Sequence, residues 1–193
     1  MNFKKHFSIP PRLFIFLLFP LVGITAAVAV IAGSSNQNVL PGLTSDIRNV
    51  PHRGWLAPNF ELTTLDGSSV QLIDFRGRIV FLNFWATWCI PCQRELPAFQ
   101  AFVESQDPEL GPTVLAVNLG ETREQIETYF AQNGIKGIPT ILDPTGIGRK
   151  LYGVMSVPVT YVIDAEGVLQ FMKLGETTTQ DISDYMIALR NKG

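Results

Sequence analysis

The distribution of apolar and polar residues predicts one strand–helix junction as the central feature of the chain. Residues 78–85 form a dense run of apolar, β-branched and aromatic residues, which is typical of a strand buried on both faces. From Gln93 to Val103 the apolar residues recur three and four positions apart, which indicates an amphipathic helix. The two elements meet at Cys89, so Cys92 is expected one turn inside the helix, with Pro91 in its first turn.

The rest of the pattern predicts strands that alternate with helices. The Asp66-Gly67 turn predicts an N-terminal β-hairpin from the segments 57–62 and 70–72. Further strands are predicted at 113–118 and 139–143, helical segments at 123–132 and 149–152, and a terminal hairpin and helix at 159–174 and 179–190. This order predicts an α/β domain in which helices flank a mixed central sheet.

Length and charge limit the classes of protein to which the chain can belong. It has 193 residues, 46% of them hydrophobic, and a formal net charge of −2. Residues 55–193 are enough for one domain with its own core. Because there is no basic block, the sequence offers no electrostatic reason to expect nucleic-acid binding.

The N-terminal segment has the pattern of a membrane anchor. Residues 13–32 are uncharged and predominantly apolar, which is long enough for a transmembrane signal-anchor helix. The positive charges of Lys4, Lys5 and Arg12 precede this run, which predicts that residues 1–12 are cytoplasmic and that the domain lies across the membrane. Residues 33–54 are polar and are interpreted as a tether. A cleaved signal peptide is the alternative interpretation.

The spacing of the two cysteines predicts a dithiol that opens and closes. A helix N-terminus stabilises a thiolate, and positions i and i+3 bring both sulfurs to one helix face. We expect Cys89, at the exposed end, to be the nucleophile and Cys92 to be the resolving thiol. A structural disulfide would stabilise the chain little because its loop is so short. Half of a zinc site is the other alternative, but the chain has no further cysteine, so no metal site is predicted.

Three motifs together resemble one protein family. They are Ala57-Pro58-x-Phe60-x-Leu62, the run from Leu82 to Pro97 that contains Trp88-Cys89-x-Pro91-Cys92-x-x-Glu95, and Tyr152-Gly153-Val154-x-x-Val157-Pro158-x-Thr160. From about Trp55 onward the chain resembles the TlpA/ResA-like branch of the thioredoxin superfamily. The resemblance implies a thioredoxin-like fold and thiol–disulfide exchange without a cofactor. For many members it also implies an extracytoplasmic reducing role, often in cytochrome c maturation.

The resemblance also implies roles for residues beyond the cysteines. Pro158 matches the family's cis-proline, and the backbone of Val157 matches the position that pairs with an extended substrate. Pro139, in Ile138-Pro139-Thr140, is the competing candidate for the cis bond. Glu95 matches a glutamate that handles the proton of the buried thiol, with a solvated helix glutamate as the alternative.

Asn83 occupies the position where ordinary thioredoxins carry a buried aspartate. An amide cannot exchange a proton, so this role would fall to Glu95, to water or to no group at all. Trp85 is interpreted as a core residue, and Trp88 as part of the substrate-binding surface at the active site.

Three functions follow from these residues. The first is a reductant of protein disulfides, which would need a membrane-embedded electron donor. The second is an oxidase or isomerase that uses the same chemistry in the opposite direction, because the sequence does not determine the reduction potential. The third is a tethered metal carrier or docking module without enzymatic activity, for which we find no histidine near the cysteines in the sequence.

Overall fold

The structure, a computed structural model, describes residues 50–191. The predicted cytoplasmic segment 1–12, the membrane helix 13–32 and all but the end of the tether 33–54 therefore lie outside the described residues. Within residues 50–191, no helix is both long enough and apolar enough to cross a membrane.

Seven strands form one mixed sheet in the order β2-β1-β5-β4-β3-β6-β7. The strands are β1 Glu61–Thr64, β2 Ser69–Gln71, β3 Val80–Trp85, β4 Thr113–Leu119, β5 Thr140–Asp143, β6 Val159–Ile163 and β7 Leu169–Leu174. Neighbours β3, β4 and β5 run parallel, whereas β6 and β7, and β1 and β2, pair antiparallel. The mixed sheet agrees with the fold class that the alternation of strands and helices predicts.

The described region also contains four α-helices and one 3-10 helix, and all but the C-terminal helix lie between strands in the chain. They are the 3-10 helix Leu72–Phe75, α1 Ile90–Glu104, α2 Arg123–Asn133, α3 Ile147–Leu151 and α4 Thr179–Arg190. The N-termini of α2 and α4 are fixed by capping boxes at Thr122 and Thr178. In each, the threonine hydroxyl accepts a backbone N–H and a side chain accepts the N–H of the cap, so two otherwise unpaired donors are satisfied.

The sheet separates two hydrophobic clusters. One contains Phe84, Tyr152 and Tyr161 and lies on the side of the 3-10 helix and α3. The other contains Trp85 and Phe99 together with apolar residues of α1, α2 and α4. All six residues of β3, Asn83 included, are buried, as the dense apolar run predicts for a central strand covered on both faces.

Candidate active site

The junction between β3 and α1 holds the two cysteines. Cys89 is the N-cap residue of α1, with extended backbone angles, and Pro91 lies at the start of the helix. The Sγ atoms of Cys89 and Cys92 are joined by a disulfide bond. Cys89 Sγ also accepts the backbone N–H of Cys92 at 3.3 Å. Cys89, the predicted nucleophile, thus lies at the positive end of the helix dipole, where a thiolate is stabilised.

The burial of Cys89 departs from the prediction. Cys89 was expected at the exposed end of the motif, but it is only 5% exposed and Cys92 is fully buried. The physical reason lies in the two bonds of its sulfur, to Cys92 Sγ and to the Cys92 N–H, which turn the side chain toward the helix. The residues that are exposed here are the flanking Trp88 and Ile90.

Glu95 lies on the same face of α1 as Cys92, one turn further along, and it is buried. Its Oε1 accepts Asn83 Nδ2 at 2.8 Å, and its Oε2 accepts the backbone N–H of Thr177 at 2.9 Å. Asn83 Nδ2 also donates to Thr160 Oγ1 at 3.1 Å. A solvated glutamate, the alternative interpretation of this position, does not match this environment.

The environment of Glu95 favours its neutral form. Burial raises its pKa to about 7, against the lowering effect of the hydrogen bonds from Thr177 and Asn83. A carboxyl group with this pKa can take up or release a proton near neutral pH. Asn83 Oδ1, the other side of the same amide, is buried without a hydrogen-bond partner among the described residues.

A second carboxylate holds the loop that precedes Cys89. Glu121 Oε2 accepts the backbone N–H of Thr87 at 2.7 Å, and Oε1 accepts the Thr87 hydroxyl. Asn118 Nδ2 donates to Glu121 Oε2 at 2.7 Å, and Gln93 Nε2 donates to the Thr87 carbonyl at 2.6 Å. Thr87 is therefore tied both to the end of β4 and to the first turn of α1.

Glu121 is a residue of this site that no motif of the sequence points to. The signal that could have found Glu121 is its place just after the end of β4. Because β3 and β4 are parallel neighbours, with Trp85 paired to Asn118, the end of β4 lies beside the loop that leads to Cys89. Polar residues that follow two adjacent parallel strands meet at the same edge of a sheet, and binding sites often form there.

The loop before β6 supplies the other predicted site residues. The Val157–Pro158 peptide bond is cis, as the resemblance implies; Pro139, the competing candidate, is not among the cis bonds of the described region. Trp85 is fully buried, as expected of a core residue, and Trp88 lies at the surface with 68% of its area exposed. Trp88 and Val157 line a common cavity of about 110 Å³.

The described residues contain no group of three or more His, Cys, Asp or Glu side chains that could hold a metal ion. The buried polar side chains of Glu95 and Asn83 are hydrogen-bonded to each other, Glu95 also to Thr177 and Asn83 also to Thr160. The described site is thus a cysteine disulfide at the N-terminus of α1, with a buried, titratable carboxyl group one turn further along the helix.

Comparison with known proteins agrees with this geometry. Residues 54–172 match the AhpC/TSA family, which is more than half of the chain. The chain belongs to this family. It is a thiol–disulfide oxidoreductase of the ResA type with a thioredoxin-like fold.

Individual relatives support this membership. The thiol-disulfide oxidoreductase ResA of Bacillus thuringiensis subsp. konkukian is 37% identical over 131 residues, which are 67% of this chain and 74% of that protein. The crystal structure of StoA from Bacillus subtilis, at 25% identity and a TM-score of 0.58, covers 68% of this chain and 98% of StoA. The chain is also similar to the crystal structure of a secreted thiol-disulfide isomerase from Corynebacterium glutamicum, with 28% identity and a TM-score of 0.61. The match covers 69% of this chain and 84% of the isomerase chain.

Proposed function

We propose that this ResA-type oxidoreductase is a membrane-tethered, extracytoplasmic reductant of protein disulfides, and that cytochrome c maturation is the process in which it acts. The observation that carries the proposal is the Cys89–Cys92 disulfide at the start of α1, with the buried carboxyl group of Glu95 one turn further along the helix than Cys92. The similarity to ResA, which is named a thiol-disulfide oxidoreductase, supports the chemistry.

The reaction requires two sequential exchanges. In the reduced protein the Cys89 thiolate attacks one sulfur of the substrate disulfide, forms a mixed disulfide and releases the other substrate sulfur as a thiolate. The Cys92 thiol then loses its proton, and its thiolate attacks Cys89 Sγ. The second substrate sulfur leaves as a thiolate, and the Cys89–Cys92 disulfide forms. Two electrons pass from the protein dithiol to the substrate, which becomes a dithiol after protonation.

Glu95 is proposed as the group that accepts the proton of Cys92. Its position on the same helix face suits this role, and its pKa of about 7 allows proton uptake at neutral pH. Asn83 cannot replace it, because a neutral amide does not exchange a proton under these conditions. Val157 and Pro158 are proposed to hold an extended substrate segment, and Trp88 to form the adjoining surface.

Turnover as a reductant needs a source of electrons for the disulfide. We propose a membrane-embedded donor that relays cytoplasmic reducing equivalents. The apolar segment 13–32 and the positive charges before it support a membrane location with the N-terminus in the cytoplasm. A tether of residues 33–54 would confine the domain near such a donor and raise its effective concentration.

The deciding experiment combines two measurements on the full chain. The reduction potential of the Cys89–Cys92 couple is measured by equilibration with glutathione or dithiothreitol buffers, and the in vivo redox state is measured by thiol trapping. A strongly reducing potential, near the ~−270 mV of thioredoxin, with mostly reduced thiols is expected for a reductant. A potential near the ~−120 mV of the oxidant DsbA, with a mostly oxidised pair, would contradict the proposed direction.

The same measurements test the second candidate function. The similarity to a protein described as a secreted thiol-disulfide isomerase favours an oxidase or isomerase over a binding module.

A reporter enzyme fused to the C-terminus tests the location separately. A reporter that is active only after export should be active in this fusion. A reporter that is active only in the cytoplasm should be inactive, and its activity would contradict the extracytoplasmic location.

A further inference from the structure

The cavity beside the cysteine motif has an apolar wall and a single charged group. Its lining residues are Trp88, Leu119, Arg149, Val154, Met155, Ser156 and Val157. Trp88 precedes Cys89 in the chain, and Val157 precedes Pro158, so this cavity adjoins both parts of the proposed substrate site. Trp88 and Met155 are 68% and 92% exposed. Two large apolar side chains left in water at one cavity are typical of a surface that binds a partner.

Arg149 is held in place at this cavity by its own backbone and side chain. Its backbone N–H donates to Asp143 Oδ2 at 2.7 Å. Its Nε donates to the Val154 carbonyl at 3.0 Å, and the Val154 N–H donates to the Arg149 carbonyl at 2.9 Å. These reciprocal bonds join α3 to the loop that leads to Val157. They fix the plane of the guanidinium group through Nε and leave its two terminal nitrogens for another acceptor.

No acceptor for those terminal nitrogens occurs within residues 50–191. The ion pairs in that range join Arg94 to Glu176 and Lys173 to Asp181, and the cavity lining contains no carboxylate. An arginine with a fixed plane and two remaining donors has the geometry to bind a carboxylate through two parallel hydrogen bonds. The charge of the cavity thus complements an anion, and its walls complement an apolar side chain.

We propose that Arg149 determines substrate specificity by binding a carboxylate of the substrate polypeptide close to the cysteine that Cys89 attacks. The occupant of the cavity is then an extended acidic segment, in which an aspartate or glutamate pairs with Arg149. An apolar side chain beside it packs against Trp88 and Met155. This inference rests on the proposed function, because it names the kind of disulfide substrate that the site selects.

The test uses the reduced full chain and synthetic peptides. Each peptide has one cysteine linked by a disulfide to thionitrobenzoate, a leucine beside it, and one glutamate placed in turn at each position within three residues of the cysteine. Matched peptides carry glutamine at the same position. Attack by Cys89 on the peptide sulfur releases coloured thionitrobenzoate, and Cys92 then releases the peptide thiol as the protein disulfide forms. The second-order rate constant is obtained from the rate at which the absorbance of free thionitrobenzoate increases.

At one or more positions we expect the glutamate peptide to react about three- to fivefold faster than its glutamine match, the upper value corresponding to ~1 kcal/mol for a partly exposed ion pair. In Arg149→Gln the ratio should fall to about one, and in Arg149→Glu it should fall below one. Lys150→Gln, which removes the same charge from the neighbouring exposed residue of α3, should retain the wild-type ratio.

Each other outcome has a defined meaning. Equal rates for the glutamate and glutamine peptides at every position would overturn the specificity proposal and leave disulfide reduction intact. The specificity proposal would also be overturned if Arg149→Gln slowed both peptides equally. An equal loss is the result expected if Arg149 acts only through its structural bond to Val154. Release no faster than with Cys89→Ser would overturn the specificity proposal and the proposed function together.

Discussion

Glu95, in the second turn of α1, accepts a hydrogen bond from the backbone N–H of Thr177, 82 residues further along the chain. This bond joins the helix that carries the cysteines to the segment between β7 and α4. Together with the contact from Asn83, it leaves the Glu95 carboxyl group buried yet hydrogen-bonded on both oxygens. The active site therefore contains a group that can hold a proton near neutral pH.

The stability of the oxidised protein should depend on pH through Glu95. The pKa of this group is about 7 in the folded state and near its ordinary value of 4.5 in the unfolded state, so the folded state binds the proton more tightly. Its contribution to the free energy of unfolding is complete below pH ~4.5 and is lost as the pH rises through ~7. The loss should amount to at most ~3.5 kcal/mol, which corresponds to this difference in pKa. Urea unfolding of the oxidised full chain at a series of pH values measures it.

Glu95→Gln provides the comparison for this measurement. The variant should lack the loss of stability between pH ~4.5 and ~7, because its amide does not titrate. Glu104→Gln, at an exposed position near the end of the same helix, should behave as the wild type. An equal pH dependence in the wild type and in Glu95→Gln would show that Glu95 is not the group responsible.

The two cysteines should give opposite results when replaced by serine. In Cys92→Ser, Cys89 keeps its place at the helix N-terminus but its mixed disulfide cannot be resolved, so an adduct with glutathione should accumulate on incubation with glutathione disulfide. Cys89→Ser should form no such adduct on the buried Cys92. Mass spectrometry of the intact chains distinguishes the two. An adduct on Cys92 of the Cys89→Ser variant would reverse the assignment of nucleophile and resolving thiol.

Glu121 should stabilise the loop before Cys89 and position the nucleophile. In Glu121→Gln the side chain loses its charge, and an amide group that can only donate replaces one oxygen, so the Thr87 hydroxyl has to accept instead of donate while the remaining oxygen keeps the bonds from the Thr87 N–H and Asn118 as a neutral acceptor. The free energy of unfolding should fall by about 1 kcal/mol, the difference between hydrogen bonds to charged and to neutral acceptors. The rate at which Cys89 of the reduced protein reacts with iodoacetamide should also change.

Glu127→Gln is the matched control for this variant, because Glu127 is an exposed residue of α2. It should leave both the stability and the alkylation rate close to those of the wild type. If Glu121→Gln lowers stability but leaves the alkylation rate unchanged, Glu121 acts on the fold alone and does not position Cys89.

Tyr152→Phe removes the hydrogen bond that links the end of α3 to Pro58, which precedes β1. Tyr152 Oη donates to the Pro58 carbonyl at 2.8 Å, while its buried ring packs against Phe84 and Tyr161. Phenylalanine keeps the ring and removes the donor, so the free energy of unfolding should fall by about 0.5–1.5 kcal/mol.

Tyr129→Phe serves as its control. The Tyr129 ring is half-buried, and its hydroxyl makes no hydrogen bond among the residues that the structure describes. Its replacement should change the free energy of unfolding by less than about 0.5 kcal/mol. Equal losses in the two variants would mean that the contact with Pro58 contributes nothing to stability.

Short-range patterns predicted the elements of this fold well. The apolar run at 78–85 contains β3, although the strand begins only at Val80, and the 3.6-residue periodicity after Cys92 belongs to α1. The helix predicted at 123–132 extends by one residue to Asn133, and Gly134 ends it in the left-handed conformation. The pattern at 70–72 predicts a strand, but Leu72 begins the 3-10 helix, because a capping box between Gln71 and Asp74 ends the strand at Gln71.

The sequence alone determined the chemistry of this protein, since a dithiol at a strand–helix junction is defined by residues that are neighbours in the chain. Only the tertiary structure decided which side chains surround that dithiol. Whether Glu95 is solvated or buried depends on Thr177, the loop before Cys89 depends on Glu121, and the cavity receives Arg149 from α3. These contacts join residues far apart in the chain, and no local periodicity encodes them, because burial results from the packing of the whole sheet and its helices.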